Sequence, residues 1–177
     1  MTRYRPVFLI AAIMTLAGLA AAAPPVSGQT AQVYFSDTGD PGGAVVALVG
    51  RAQRRIEAAI YDLTDRRIAD ALIAASQHHI DTWVVMDAGE ARYHSSQYPA
   101  LATALGDHLA LRTGRGGGRY AIMHHKFIVV DDRLVGTGSF NWTREAECCN
   151  WENLVVLDDP ALARAFKAEF QRLWRAQ

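Results

Sequence analysis

Apolar positions along this chain come in two rhythms. Short runs of β-branched residues alternate with longer stretches in which apolar residues recur every three or four positions. The first rhythm is that of strands and the second that of amphipathic helices. Gln32 to Phe35 reads as a strand. Asp40-Pro41 then offers an N-cap residue followed by proline at the first helical position. Ala44, Leu48 and Ile56 continue an apolar stripe, which predicts a helix to about Arg55 with Arg51, Arg54 and Arg55 on its outer side. Glu57 to Leu63 is the next strand. Thr64-Asp65 caps a helix through Ile68, Ala71, Leu72 and Ala75, and His78 and His79 at its end complement the helix dipole. Asp81 to Asp87 is a third strand, followed by a polar segment from Ala88 to Tyr98 in which His94 reads as a surface residue. Pro99 to Asp107 reads as a short helix and Leu109 to Arg112 as a strand.

The run from Phe127 to Val130, stopped by Asp131-Asp132, has the continuous apolar character of a strand buried on both faces. Leu134 to Phe140 reads as its partner across the turn Asp131-Asp132-Arg133, and Asn153 to Leu157 as a last buried strand. Asp158-Asp159-Pro160 caps a terminal helix with Leu162, Phe166, Phe170, Leu173 and Trp174 on one face. Strands separated by helices, with some connections of hairpin length, predict an α/β sandwich around a mixed central sheet. The chain has 177 residues, half of them apolar, and no internal repeat. It suits one domain with a substantial core.

The N-terminal segment breaks this pattern. Arg3 and Arg5 precede an apolar run from Val7 to Ala23 that ends in small residues. Those are the n-region, h-region and cleavage end of a secretory signal peptide, shorter and less apolar than the roughly 20 residues of a spanning helix. Residues 1–23 are therefore expected to be a signal peptide, 24–30 a linker and 31–177 the folded domain. An exported protein follows, periplasmic or secreted and without stable membrane association after cleavage.

Charge adds little. The chain carries 18 Lys and Arg against 18 Asp and Glu, and removal of Arg3 and Arg5 leaves 16 against 18. Bulk electrostatics do not advertise a polyanionic partner, so any nucleic-acid affinity has to come from a local patch. The candidate is the glycine-rich loop Arg112-Thr113-Gly114-Arg115-Gly116-Gly117-Gly118-Arg119, where Arg115 and Arg119 could follow a phosphodiester backbone. Cys148 and Cys149 are the only cysteines. Adjacent cysteines seldom pair, and these lack the spacing of a zinc site, so small packed residues are expected.

The chemistry gathers at one strand. His124 and Lys126 stand at the mouth of the Phe127–Val130 run, and strand alternation points both to one side and His125 to the other. Lys126 can hold a phosphate as a point charge, and its field favours neutral, nucleophilic His124. Gly136 and Gly138 mark a close approach of ligand or backbone. Ser139 and Asn141 offer a hydroxyl and an amide beyond them. Imidazole, ammonium, hydroxyl and amide at the ends of adjacent strands outline a phosphate site. No cluster of Asp, Glu and His has the spacing of a two-metal nuclease, so no metal or other cofactor is expected.

His124-x-Lys126-(x)4-Asp131 followed by Gly138-Ser139-x-Asn141 resembles the HKD signature of the phospholipase D superfamily. Asn150-Trp151-Glu152-Asn153 is similar to the acidic segment that follows it in that group's short bacterial endonucleases. Val33 to Ser36, Ala59 to Thr64 and Val84 to Asp87 resemble its first three strands. The resemblance covers nearly the whole chain after the N-terminal segment. It implies a metal-independent phosphodiesterase in which His124 attacks phosphorus to give a phosphohistidine and a second histidine protonates the leaving group. Members with one motif form homodimers, so the second histidine would come from a second copy. Lys126 and Asn141 would bind phosphoryl oxygens with Ser139 nearby, Glu152 would accept a hydrogen bond from His124, and Asp131 would be structural. Trp142 and Trp151 are expected to pack. The nearest match is a nonspecific endonuclease acting on DNA or RNA. A phospholipase or phosphatidyl transferase, and a non-catalytic nucleic-acid-binding protein, are the alternatives.

Overall fold

The computed structural model describes residues 30–118 and 120–177. The signal-peptide assignment and nearly all of the linker lie outside them. Strands β1 (Thr30–Phe35), β2 (Arg55–Ile60), β3 (Asp81–Asp87), β4 (Leu109–Gly114), β5 (Lys126–Val130), β6 (Leu134–Gly138) and β7 (Asn153–Asp158) form one sheet in the order β1-β7-β6-β5-β2-β3-β4. β2, β3 and β4 run parallel, and the other neighbours pair antiparallel. The sheet is mixed, as the hairpin-length connections predict.

Helices cover both faces. On one side lie α1 (Pro41–Gly50), α2 (Arg66–Gln77), α3 (Tyr98–Thr103) and α4 (Arg144–Cys148), burying Val45, Leu48, Ile68, Leu72, Leu101 and Ala146 against Ile56, Val84 and Ile128. On the other, α5 (Pro160–Arg175) buries Ala163, Phe170 and Leu173 against Ala59, Val85, Phe127 and Val129. This is the expected three-layer α/β sandwich. Leu162, assigned to the packed face of α5, is instead exposed, and Ala163 takes the contact.

Three differences from the sequence reading have physical causes. α1 stops at Gly50 and β2 begins at Arg55, because the Asp131 carboxylate captures the next amides: Gln53, Arg54 and Arg55 donate their N–H groups to it at 2.8, 2.9 and 2.9 Å. A short helix, α4, follows the sixth strand, where Thr143 caps it by accepting from Ala146 N. Thr30, assigned to the linker, is the first residue of β1.

Asp131 and Asp132 adopt positive φ, 54° and 60°, in the three-residue turn joining β5 to β6, where Arg133 N donates to the Val130 carbonyl at 3.1 Å. This turn and the His124 mouth of β5 lie at opposite ends of the strand. The close approach at Gly138 is to protein: a Cβ there would meet the Asn153 carbonyl oxygen at 2.1 Å.

Candidate active site

The segment entering β5 is held from three directions. Met123 is buried, and its amide donates to Asp87 Oδ2 at 2.9 Å. Tyr61 N donates to the His125 carbonyl at 2.8 Å. The His125 ring turns to the α5 side, where Nε2 meets Glu169 Oε1 at 3.0 Å, and Glu169 is in turn gripped by Arg172 through two hydrogen bonds. Alternation then places His124 and Lys126 together on the open side.

There Lys126 Nζ stands 3.2 Å from His124 Nε2 and 3.3 Å from the His124 carbonyl. An ammonium can only donate, so Nε2 accepts and the imidazole is neutral with its proton on Nδ1. Burial, and then the Lys126 charge, hold the His124 pKa below its ordinary value. Burial likewise lowers that of Lys126, against the pull of Glu152 and Asp62. The pair therefore presents an unprotonated nitrogen beside a cation.

The loop after β6 is stitched to the loop after β2: Trp142 N donates to the Asp62 carbonyl, and Thr64 N and Asp65 N donate to the Trp142 carbonyl. Trp142 is 1% exposed and packs as expected. This places Asn141 beside the strand ends, where its Oδ1 is buried without a hydrogen-bond partner among the described residues. Half a turn of the carboxamide brings an N–H to the same place, a donor suited to a phosphoryl oxygen. Ser139 Oγ accepts from Asn153 N and Nδ2 at 3.1 and 3.2 Å. Its proton is left to donate elsewhere.

The structure places the other residues singled out in the sequence variously. Glu152 makes no hydrogen bond to His124; its charge acts on Lys126, and its backbone is tied to Ser36. Arg115 is exposed on its loop, and Arg119 lies outside the described residues. Arg112 turns away, stacking on Trp174 at 4.4 Å and donating to its carbonyl. Trp151, expected to pack, is 91% exposed next to Glu152. Cys148 and Cys149, expected as packed thiols, are joined in a disulfide on the exposed end of α4. Asp131 is at the far end of β5, accepting the three backbone amides described above.

Sequence reasoning missed four groups near the site. The Tyr61 ring meets His124 edge-on at 4.6 Å between centroids and lies 5.1 Å from Lys126 Nζ. Its hydroxyl donates to Glu90 Oε1 at 2.7 Å, which pushes the phenol up to about 12. Asp62, half-buried and facing the negative charges of Glu90 and Glu145, is raised to about 6, by burial first. Asp87 is buried at the end of β3. A carboxylate ending a buried strand was the one available signal. Among the described residues no three His, Cys, Asp or Glu side chains converge on a common point.

A family model described as "Cardiolipin synthase, PLD-like domain" matches residues 45–174. Mitochondrial cardiolipin hydrolases of Chlamydomonas reinhardtii and Xenopus laevis are 32% and 35% identical over 126 and 130 residues. These alignments cover 71% and 73% of this chain but 54% and 59% of the relatives, so the chain spans little more than half their length. Nuc of Salmonella typhimurium, a phospholipase D family member, superposes with a TM-score of 0.74 at 32% identity, covering 84% of this chain and 95% of that one. NucT of Helicobacter pylori, at 21% identity and a TM-score of 0.72, shares the fold. The mitochondrial relatives overturn the expectation of an exported, periplasmic or secreted protein. Basic residues ahead of an apolar run do not specify which membrane system is addressed.

Proposed function

The chain belongs to the phospholipase D-like superfamily of phosphodiesterases, and from that premise we propose that it is a metal-independent endonuclease acting through a phosphohistidine. The observation that carries this reading is the neutral His124 Nε2 held 3.2 Å from the Lys126 ammonium. His124 Nε2 attacks phosphorus; a second imidazole, which enters the step as imidazolium, gives its proton to the leaving oxygen as the P–O bond breaks; now neutral, that imidazole takes a proton from the water that cleaves the phosphohistidine. Lys126 and the Asn141 amide hold the phosphoryl oxygens as charge builds on them. His125 faces Glu169 on the other side of the strand, so the second imidazole is the His124 of another copy across a twofold axis. The superposition on Nuc over 84% of this chain, with the resemblance of Asn150-Trp151-Glu152-Asn153 to the segment of short bacterial endonucleases, supports a nucleic acid as substrate.

A second reading is phospholipid hydrolysis. It is favoured by the cardiolipin hydrolase relatives and by Trp151, an amphipathic ring exposed beside the site, as suits a membrane interface. Plasmid DNA and cardiolipin vesicles, each incubated with the full chain in excess EDTA beside His124→Ala, decide between them. DNA cleavage that survives EDTA and vanishes in the variant supports the nuclease; turnover of vesicles alone supports the lipase; loss of all activity in EDTA overturns the metal-free mechanism. Light scattering on the same samples reads the dimer.

A further inference from the structure

Asp87, Glu90, Tyr61 and His124 close a ring of contacts around the reacting imidazole. Asp87 Oδ1 accepts from Gly89 N at 2.7 Å and Glu90 N at 3.2 Å, which sets the start of the 3-10 turn Glu90–Arg92. Glu90 Oε1 accepts the Tyr61 hydroxyl at 2.7 Å. The Tyr61 ring meets the His124 ring at 4.6 Å with planes 64° apart. Met123 N, one residue before His124, returns to Asp87 Oδ2 at 2.9 Å.

We propose that Tyr61 and Glu90 are a positioning pair for catalysis, fixing the plane of the His124 imidazole and the place of the Lys126 ammonium. The inference rests on His124 as nucleophile. An imidazole is free to swing about its Cβ–Cγ bond unless something abuts its ring. An attacking nitrogen has to keep its lone pair aimed at phosphorus, and small misplacement costs rate steeply. An aromatic edge at this distance restricts that swing. The same ring lies 5.1 Å from Lys126 Nζ, near enough for its π-face to hold the ammonium. Glu90 keeps the phenol in place through a charge-assisted hydrogen bond. Tyr61 cannot drift, because its own amide is bound to the His125 carbonyl.

His124 is exposed overall, with the Tyr61 ring against it. The charged or titratable groups acting on the imidazole are Lys126, Asp87 and His125, with Glu90 behind Tyr61; Asp62 and Glu152 act on Lys126.

The test is NMR titration of the His124 ring in full-length protein, which requires no turnover, together with kcat and KM on whichever phosphodiester the wild type cleaves. Tyr61→Leu is expected to raise the His124 midpoint toward its ordinary value and to lower kcat about 100-fold with little change in KM. Tyr61→Phe, which keeps the ring and loses the hydroxyl, is expected to leave the midpoint in place and lower kcat about tenfold, with Glu90→Gln between it and wild type. Should Tyr61→Leu fail to fold, the Phe and Gln variants carry the test through kcat. An unchanged midpoint in Tyr61→Leu, or unchanged kcat in Tyr61→Phe and Glu90→Gln, overturns the proposal. Turnover that persists in His124→Ala marks a different failure, that of the nucleophile assignment, and the titration still decides whether Tyr61 governs the ring.

Discussion

Lys126 Nζ lies 3.2 Å from His124 Nε2, and the two residues are separated by one position where the chain enters β5. This spacing lets the lysine hold down the histidine's pKa, and in the proposed mechanism the same ammonium binds phosphate. Its charge adds to burial in lowering the His124 pKa, so Lys126→Met removes a lowering influence and moves that pKa up. Activity that needs neutral His124 rises with pH through it. The acid limb of log kcat/KM against pH is therefore expected to shift to higher pH in Lys126→Met, on top of a loss of about 100-fold or more at its plateau. His124→Ala is expected to lose turnover entirely. An acid limb that stays put while the plateau falls would show that Lys126 binds phosphate without tuning the imidazole.

Asp131, although part of the same sequence signature, belongs to stability. Its carboxylate accepts three backbone amides across the start of β2, and no side-chain substitute supplies three acceptor directions. Asp131→Ala leaves those donors short of partners and is expected to cost about 2–4 kcal/mol in urea unfolding. Asp131→Asn, with one acceptor oxygen, is expected to lose less. Both are expected to keep wild-type kcat at temperatures where they remain folded.

How much of this was visible beforehand depends on whether a contact is local. β3 was read to its true ends because a buried strand writes its burial into consecutive residues. His124, Lys126 and Asn141 were legible because chain spacing alone brings them to neighbouring strand ends. The end of α1 was not, since the Arg51–Arg55 segment continues a plausible helical stripe and only the distant Asp131 carboxylate redirects its amides. Tyr61 and Glu90 looked like ordinary strand-end and loop residues, and their link to His124 exists only once β2, β3 and β5 lie side by side. Trp151 misled in the opposite sense: a large aromatic between polar residues suggests packing, yet the turn entering β7 pushes it into solvent.

Trp151 can report which substrate approaches. Trp142 is buried, Trp83 and Trp174 stack on each other at 5.2 Å, and Trp151 stands in solvent beside Glu152. Emission from Trp151 is expected to be quenched by single-stranded DNA in His124→Ala protein, where no cleavage intervenes, and to be blue-shifted by cardiolipin vesicles if lipid is the substrate. Trp151→Phe is expected to remove either signal while changing stability by less than about 0.5 kcal/mol, as befits an exposed residue. Quenching that persists in Trp151→Phe would place the contact elsewhere.

Glu147 links this site's surroundings to pH. It reaches from α4 to the N-terminus of α1, where Oε2 accepts from Gly42 N at 2.8 Å, and burial followed by its hydrogen bond with Asp40 raises it from 4.5 to about 7. Asp40 moves the other way, held low first by that same hydrogen bond. In the unfolded chain Glu147 gives up its proton near its ordinary 4.5, whereas the folded protein retains it until about 7. Between those values the unfolded state binds fewer protons, so this residue makes stability fall as pH rises across the window. Glu147→Gln keeps an acceptor for Gly42 N and cannot titrate. Urea midpoints measured from pH 4.5 to 8 are therefore expected to decline less steeply in Glu147→Gln than in wild type, with the two curves closest at the acid end and the variant the more stable above pH 7. Parallel curves would mean that the carboxyl gives up its proton at its ordinary pH in the folded protein, and that the Asp40–Glu147 hydrogen bond does not hold α4 against α1.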